Sequence, residues 1–148
     1  MITMKIEIPV GSNVKYEIDK VTGELRVDRL SKLTYPATYG YIKDTLAEDG
    51  DQLDVFLLGS DVYIPGSIID VDILGMLEMS DNGIVDNKVI AKVHCDNLGV
   101  AQDYLDRHVR VIKTFLRNYK ENTIVGNYVD KSDTVEYYEK CKEVYEKK

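Results

Sequence analysis

The chain has 148 residues, 44% of them hydrophobic and 30% charged, and its 19 basic and 26 acidic side chains leave a net charge of −7. That composition belongs to a folded protein rather than a disordered one, and the length suits one domain, residues 1–148, with a hydrophobic core. The negative balance argues against sequence-independent binding of nucleic acid or anionic membrane, which needs basic surface, and no apolar run is long enough to span a bilayer.

Met1 to Ile6 lacks the long apolar stretch of a signal peptide, so a cytoplasmic protein is expected. Lys15 to Asp19 and Glu24 to Arg29 flank Thr22-Gly23, a hairpin signal. Further strands are predicted at Tyr39 to Leu46, Val55 to Leu58, Ser67 to Met79 and Lys88 to Cys95, with Pro65-Gly66 and Asp81-Asn82-Gly83 as turns. Leu105, Val109, Ile112 and Leu116 then recur at helical spacing, and Phe115 and Tyr119 widen the stripe. Ile124 to Val129 suits one more strand. Asp133 and Glu136 form an acid-type capping box ahead of a second helix, with Val135, Tyr138, Cys141 and Tyr145 as its apolar stripe. Many short strands followed by two helices predict a mainly β fold: a small barrel with two C-terminal helices packed on it.

Cys95 and Cys141 are far apart and outside any C-x-x-C pair, which argues against a disulfide framework. Cys95 follows His94, but no further His or Cys completes a zinc set. Cys141 reads as core. Eleven tyrosines stand against two phenylalanines and no tryptophan. Most suit core filling with wet hydroxyls. The run from Tyr35 to Tyr41 is denser than filling needs.

The densest chemistry lies in Glu48-Asp49-Gly50-Asp51-Gln52-Leu53-Asp54-Val55. Asp49, Asp51 and Asp54 fall at i, i+2 and i+5, at the mouth of the apolar run Val55-Phe56-Leu57-Leu58. Two unit charges about 4 Å apart interact by roughly 4 kcal/mol at an effective dielectric near 20. Cations must offset that repulsion in a folded site, and all-oxygen donors suit hard divalent ions such as Mg²⁺. Asp81 and Asp86 flank the next turn. Taken alone, Asp81 caps a turn and Asp86 is a solvated loop charge. Lys15 and Glu17 share a strand face. Arg29 continues the face of Leu25 and Val27, which should point inward, as a strand-end snorkel or an anion clamp. Lys120, beside Tyr119 at a helix end, suits the helix dipole.

Other chemistries fail on detail. Counted from Asp49, the sixth and twelfth positions of an EF-hand loop hold Asp54 and Ser60 instead of Gly and Glu. No Gly-x-x-x-x-Gly-Lys phosphate loop is present. His94 and His108 support no serine or cysteine nucleophile.

Together these pieces resemble the soluble inorganic pyrophosphatases of the Asp-Gly-Asp-x-x-Asp type, in their short prokaryotic form. The resemblance runs through Glu7-Ile8-Pro9, Lys15-Tyr16-Glu17-Ile18-Asp19, Val27-Asp28-Arg29, Tyr35-Pro36-x-x-Tyr39-Gly40-Tyr41, Asp49-Gly50-Asp51-x-x-Asp54-Val55, Asp81-x4-Asp86-x-Lys88 and Tyr119-Lys120. It implies a five-stranded OB-like β-barrel with flanking helices, and hydrolysis of pyrophosphate to two phosphates with several Mg²⁺ ions, or Mn²⁺ in their place. Carried over, Asp49, Asp54 and Asp86 hold the first ion and Asp54 reaches a second. Asp81 and Asp86 hold an ion arriving with substrate, and Glu7 and Glu17 support outer ions. Asp51 becomes the general base. Lys15, Arg29, Lys88, Tyr119 and Lys120 grip phosphate oxygens, Tyr39 lies near the nucleophile and Tyr35 lines the pocket. The family also implies a homo-oligomer. Some bacterial hexamers carry histidines on the helix before Tyr-Lys, where this chain has Thr114 and Asn118, which weakens the expectation of a hexamer. The tryptophan often found after Tyr-Lys is missing, and Tyr128 is expected in its place. A non-catalytic divalent-metal module on the same barrel is the alternative. Lys15, Arg29, Lys88 and Lys120 argue against it, because a plain metal sink needs no anion clamp.

Overall fold

In Val55-Phe56-Leu57-Leu58 successive side chains leave opposite faces of the strand, yet all four are buried. A strand with no wet face must be covered on both sides. The computed structural model, which describes residues 1–19, 21–94 and 100–148, shows how; the side chains of Ile18 and Arg29, and all of Cys95, lie outside the described residues.

Strands β1 (Ile2–Ile8), β4 (Thr38–Ile42), β5 (Asp54–Leu57), β8 (Lys88–Val93) and β6 (Ile68–Asp81) pair in that order, and β6 pairs back onto β1. The five close into a ring, parallel between β5 and β8 and antiparallel elsewhere. This is the OB-like barrel expected from the sequence. The 14-residue β6 also reaches past the ring, where it pairs with β7 (Ile84–Val85) and β9 (Thr123–Val129). Strands β2 (Val14–Ile18) and β3 (Leu25–Leu30) form a separate ribbon.

Two cores result. One draws on all five ring strands, including Met4, Ile42, Val55, Val71 and Val89, and therefore fills the ring; Tyr138 and Cys141 of α2 (Lys131–Glu146) complete it. The other covers the opposite face of the same strands: Phe56, Ile90 and Leu77 meet Val109, Ile112, Phe115 and Leu116 of α1 (Gln102–Tyr119). Alternation along β5 thus sends Val55 and Leu57 to one core and Phe56 and Leu58 to the other.

Gly40 sits where β1 and β4 approach most closely. A Cβ there would lie 1.9 Å from the Lys5 carbonyl oxygen, so only glycine fits between Tyr39 and Tyr41.

Several expectations need correction. Leu25 and Val27 do not point inward: they are 43% and 59% exposed, because β2 and β3 form a separate two-stranded ribbon over which, among the described residues, no second layer packs on that face. The second helix starts earlier than the Asp133–Glu136 pair suggests. Asp130 is its N-cap and accepts from the Asp133 N–H, so Asp133 lies in the first turn. Its Tyr145 is 44% exposed rather than part of the buried stripe, as the whole end of the helix from Glu143 on is exposed. The strand predicted from Tyr39 to Leu46 ends at Ile42, where Lys43-Asp44 turns the chain and Asp44 takes φ +60°.

Candidate active site

The parallel register of β5 and β8 sets Asp54 directly beside Lys88. Lys88 is only 5% exposed. Its Nζ donates to Asp54 Oδ2 at 2.5 Å, to Asp86 Oδ1 at 2.9 Å and to Tyr39 Oη at 3.2 Å. Burial alone would push this ammonium toward neutrality; Asp54 and Asp86 outweigh it and leave its pKa raised, so Lys88 is charged. Burial, followed by the Asp54 charge, holds the Tyr39 phenol well above its ordinary range, so it stays protonated.

Asp49 joins this pair from the loop between β4 and β5. One carboxylate oxygen from each of Asp49, Asp54 and Asp86 falls in a group whose members all lie within 4.8 Å of one another. Burial raises the Asp49 pKa; the Asp51 N–H opposes this and the Asp86 and Asp54 charges reinforce it. Three carboxylates against one ammonium leave two negative charges when all are ionised. A single hard divalent cation would offset them, and the donor set is all oxygen, so the residues present fit such an ion.

These groups form one wall of a cavity of about 230 Å³. Asp51 and Asp81 lie on it too, while Lys15, Lys120 and Tyr119 bring cations and a phenol to the same space. Lys120 follows α1 as its C-cap and places Nζ 3.5 Å from Asp81 Oδ2. Tyr35 anchors an aromatic cluster: its ring centroid is 4.6 Å from that of Phe115, 5.3 Å from Tyr39 and 5.7 Å from Tyr119. Every sequence-predicted acid from Asp49 to Asp86 therefore converges here. Asp81 and Asp86 belong to the site, against what their turn context alone suggested.

Glu7 and Glu17 line an adjoining groove with Lys15 and Asp28, and Asp51 and Asp54 are common to both spaces. The register of β1 on β4 shifts between Ile6 and Ile8, so Glu7 is the extra residue of a β-bulge, a device that re-aims side chains beside functional sites. Desolvation lifts the Glu7 pKa to about 7, opposed by Lys15 and reinforced by Asp54. An acid whose pKa rises on folding penalises the folded state when ionised. The penalty is absent below the unfolded value, near pH 4.5, and complete above about pH 7. In chelator, Glu7→Gln should therefore raise the thermal midpoint at pH 8 and leave it near the parent value at pH 4.5. Equal effects at both pH values would refute this account of Glu7.

The Arg29 side chain lies outside the described residues, although its backbone pairs opposite Lys15 in the ribbon. Tyr128 does not take a place in the pocket wall. It lies on β9 over Gly75, whose added Cβ would fall 2.1 Å from the Tyr128 hydroxyl: β9 meets the cavity at Thr123, opposite Asp81, and Tyr128 lies farther along it, opposite Leu77. The histidines lie apart from the site: His94 pairs with Asp72 at 2.8 Å, and His108 Nδ1 is 2.9 Å from the Tyr104 carbonyl of its own helix. Sequence reasoning missed the apolar floor formed by Phe56, Phe115 and Leu116. It also missed a hydrogen bond from Tyr137 to Glu48, whose partners are 89 residues apart and follow no periodic pattern.

The family model for inorganic pyrophosphatase matches residues 4–148. The chain belongs to the inorganic pyrophosphatase family. It is 40% identical over 146 residues to the inorganic pyrophosphatase of Halalkalibacterium halodurans, covering 92% of this chain and 90% of that protein. It is 33% identical to the inorganic pyrophosphatase of Malacoplasma penetrans over 99% of this chain and 86% of that one. Among solved structures, the inorganic pyrophosphatase from Thermus thermophilus superposes with a TM-score of 0.88 at 32% identity, covering 98% of this chain and 91% of that one. The likeness to that solved pyrophosphatase extends over nearly the whole fold. No helix among the described residues is long and apolar enough to cross a membrane.

Proposed function

We propose that this chain hydrolyses inorganic pyrophosphate to two orthophosphates in the cavity bounded by Asp49, Asp54 and Asp86 on one side and by Lys15 and Lys120 on the other. The observation that carries the reading is the convergence of these three carboxylates, compensated by one buried lysine, in a chain of the pyrophosphatase family. Asp49, Asp54 and Asp86 would hold a divalent ion, Mg²⁺ in the first instance and Mn²⁺ as a substitute. Asp81 with Asp86 would hold another, and Glu7 and Glu17 would support outer ions. When bound, such ions reverse the negative field that would repel pyrophosphate and make water a stronger acid.

The chain's own groups do the rest. Asp51 stands in the cavity as the base that takes a proton from the attacking water. The new bond forms from that water's oxygen to one phosphorus, and the bridging P–O bond breaks. The leaving phosphate carries the electron pair away. Lys15, Lys120 and Tyr119, with Arg29, bind phosphate oxygens and stabilise charge as it builds on the leaving group. Lys88 holds Asp54 and Asp86 in place and offers its ammonium to the substrate. Tyr39, protonated and bonded to Lys88, orients groups near the nucleophile, while Tyr35 packs the wall. No nucleophilic side chain is required.

We further propose that residues 1–148 act as one domain and assemble as a cytoplasmic homo-oligomer. Thr114 and Asn118 turn their side chains onto their own helix, at the Arg110 and Thr114 carbonyls, which gives no support to a hexamer built through those positions. The deciding experiment is phosphate release from pyrophosphate and from ATP, in Mg²⁺ and then in chelator. Rapid release from pyrophosphate that needs Mg²⁺ is expected. Tight divalent binding with no phosphate release would favour a non-catalytic metal module instead.

A further inference from the structure

Of the three clustered carboxylates, two are fixed by strands. Asp54 opens β5, and Asp86 lies two residues before β8 with its N–H bonded to the Met79 carbonyl of β6. Asp49 has no such support. It sits in the loop between β4 and β5, and its position depends on what holds that loop.

Part of the answer is internal. Thr45 is fully buried, donates from Oγ1 to the Ile42 carbonyl at 2.7 Å and accepts the Leu53 N–H at 3.0 Å, which ties the loop's two ends. The Ala47 N–H donates to the Asp51 carbonyl at 2.8 Å, and the Asp51 N–H to Asp49 Oδ1 at 3.0 Å. These bonds fix the loop's shape but not its orientation on the molecule. Among the described residues, the Lys43 N–H ties the loop's start to the Thr3 carbonyl of β1 at 2.9 Å, and beyond Thr45 two hydrogen bonds connect the loop to another element, both ending on α2. The Leu46 N–H donates to the Cys141 carbonyl at 3.0 Å, and the Tyr137 hydroxyl donates to Glu48 Oε2 at 2.5 Å. Tyr137 and Cys141 are i and i+4, one above the other on a single helix face. Cys141 is buried in the ring's core, and Tyr137 packs against that core. The helix face is therefore a rigid shelf on which the loop rests.

We infer that Tyr137 is a positioning residue for the metal site: its hydroxyl engages Glu48 and so holds the neighbouring Asp49 toward Asp54 and Asp86. The inference rests on the metal reading above and deepens it. Phenol-to-carboxylate bonds are charge-assisted and short. This one also turns the Glu48 carboxylate to α2, so that Glu48 does not add a further negative charge to the Asp cluster. Groups that orient a ligand without touching the ion typically change metal affinity by about tenfold or more when removed.

The test uses the full chain and Mg²⁺ alone. Calorimetric Mg²⁺ titration and amide exchange of residues 46–51 in chelator are compared for the parent, Tyr137→Phe, Glu48→Ala, Glu48→Gln, the Tyr137→Phe/Glu48→Ala double variant and Asp54→Asn. Tyr137→Phe and Glu48→Ala should each weaken Mg²⁺ binding by about tenfold and speed exchange across 46–51. Glu48→Gln, which keeps an acceptor, should stay near the parent. The double variant should be no worse than either single one, because both remove the same bond. Parent-like binding and exchange in Tyr137→Phe and Glu48→Ala, with binding lost in Asp54→Asn, would overturn the positioning role and leave the metal reading intact. Additive losses in the double variant would overturn it too. Parent-like binding in Asp54→Asn would instead sink the metal reading itself, while amide exchange would still judge the clamp. Should Tyr137→Phe fold poorly, Glu48→Ala, on an exposed loop, decides alone.

Discussion

Asp51→Asn is expected to lower kcat for pyrophosphate by about a hundredfold to ten-thousandfold, with KM and the thermal midpoint close to those of the parent chain. Asp51 is exposed, and the hydrogen bonds found for it are backbone ones: its N–H to Asp49 and its carbonyl from Ala47. Asparagine keeps the shape and leaves those bonds in place. What it loses is the ability to take a proton. A base acts only as the water attacks, so its removal should appear in kcat rather than in substrate binding. Steady-state phosphate release, with a melting curve on the same preparation, checks both halves. Near-parent turnover would remove Asp51 from the role of base. A large loss of Mg²⁺ affinity would make it a ligand instead.

Much of this architecture was legible in the sequence, for reasons that can be stated residue by residue. The run Val55 to Leu58 has no polar position, so a core strand was expected there, and the structure adds that it is covered on both faces, by the two cores on either side of β5. The stripe Leu105 to Leu116 keeps helical period, and α1 buries Val109, Ile112, Phe115 and Leu116 from it. The site was legible for a different reason. Asp49 and Asp54 are local in sequence, but nothing in the turn Asp81-Asn82-Gly83 says that Asp86 meets them. That meeting is made by the parallel pairing of β5 with β8, a long-range fact visible beforehand only through the order of family motifs. Where the reading failed, a local pattern lacked its tertiary context. Leu25 and Val27 alternate as an inward face does, but they belong to a separate two-stranded ribbon. Asp133 and Glu136 have capping-box spacing, but Asp130 lies one turn earlier and takes the cap. Tyr137 and Glu48 meet because a helix at the end of the chain rests on a loop near its middle, and no period or motif links them.

Lys88→Met should separate the two roles proposed for this residue, counter-ion to the carboxylates and contact to the substrate. Methionine matches the stem of lysine and removes its charge. Asp54, Asp86 and Asp49 would then face one another without the ammonium that bonds two of them. Breaking a buried ion pair from one side costs about 3–5 kcal/mol; here the carboxylates left behind are partly buried, which points to the lower end of that range. At this chain length that corresponds to a fall of roughly 10 °C in the thermal midpoint measured in chelator. Added Mg²⁺ should then restore more stability to Lys88→Met than it gives the parent. In the parent an ion adds its binding energy to a site already partly neutralised; in the variant it also relieves the repulsion. Activity should nonetheless remain at least about a hundredfold below the parent, since metal can replace the ammonium among the carboxylates but not beside the substrate. Melting curves in chelator and in Mg²⁺, paired with phosphate release, distinguish the cases. If Lys88 served the substrate alone, the midpoint in chelator would hardly move and only turnover would fall. If it were only a structural counter-ion, Mg²⁺ would bring back turnover along with stability. The 2.5 Å and 2.9 Å bonds from one buried Nζ to two carboxylates, at the edge of a cavity that also holds Lys15 and Lys120, argue that both losses will be seen, and that only the first will be reversed by the ion.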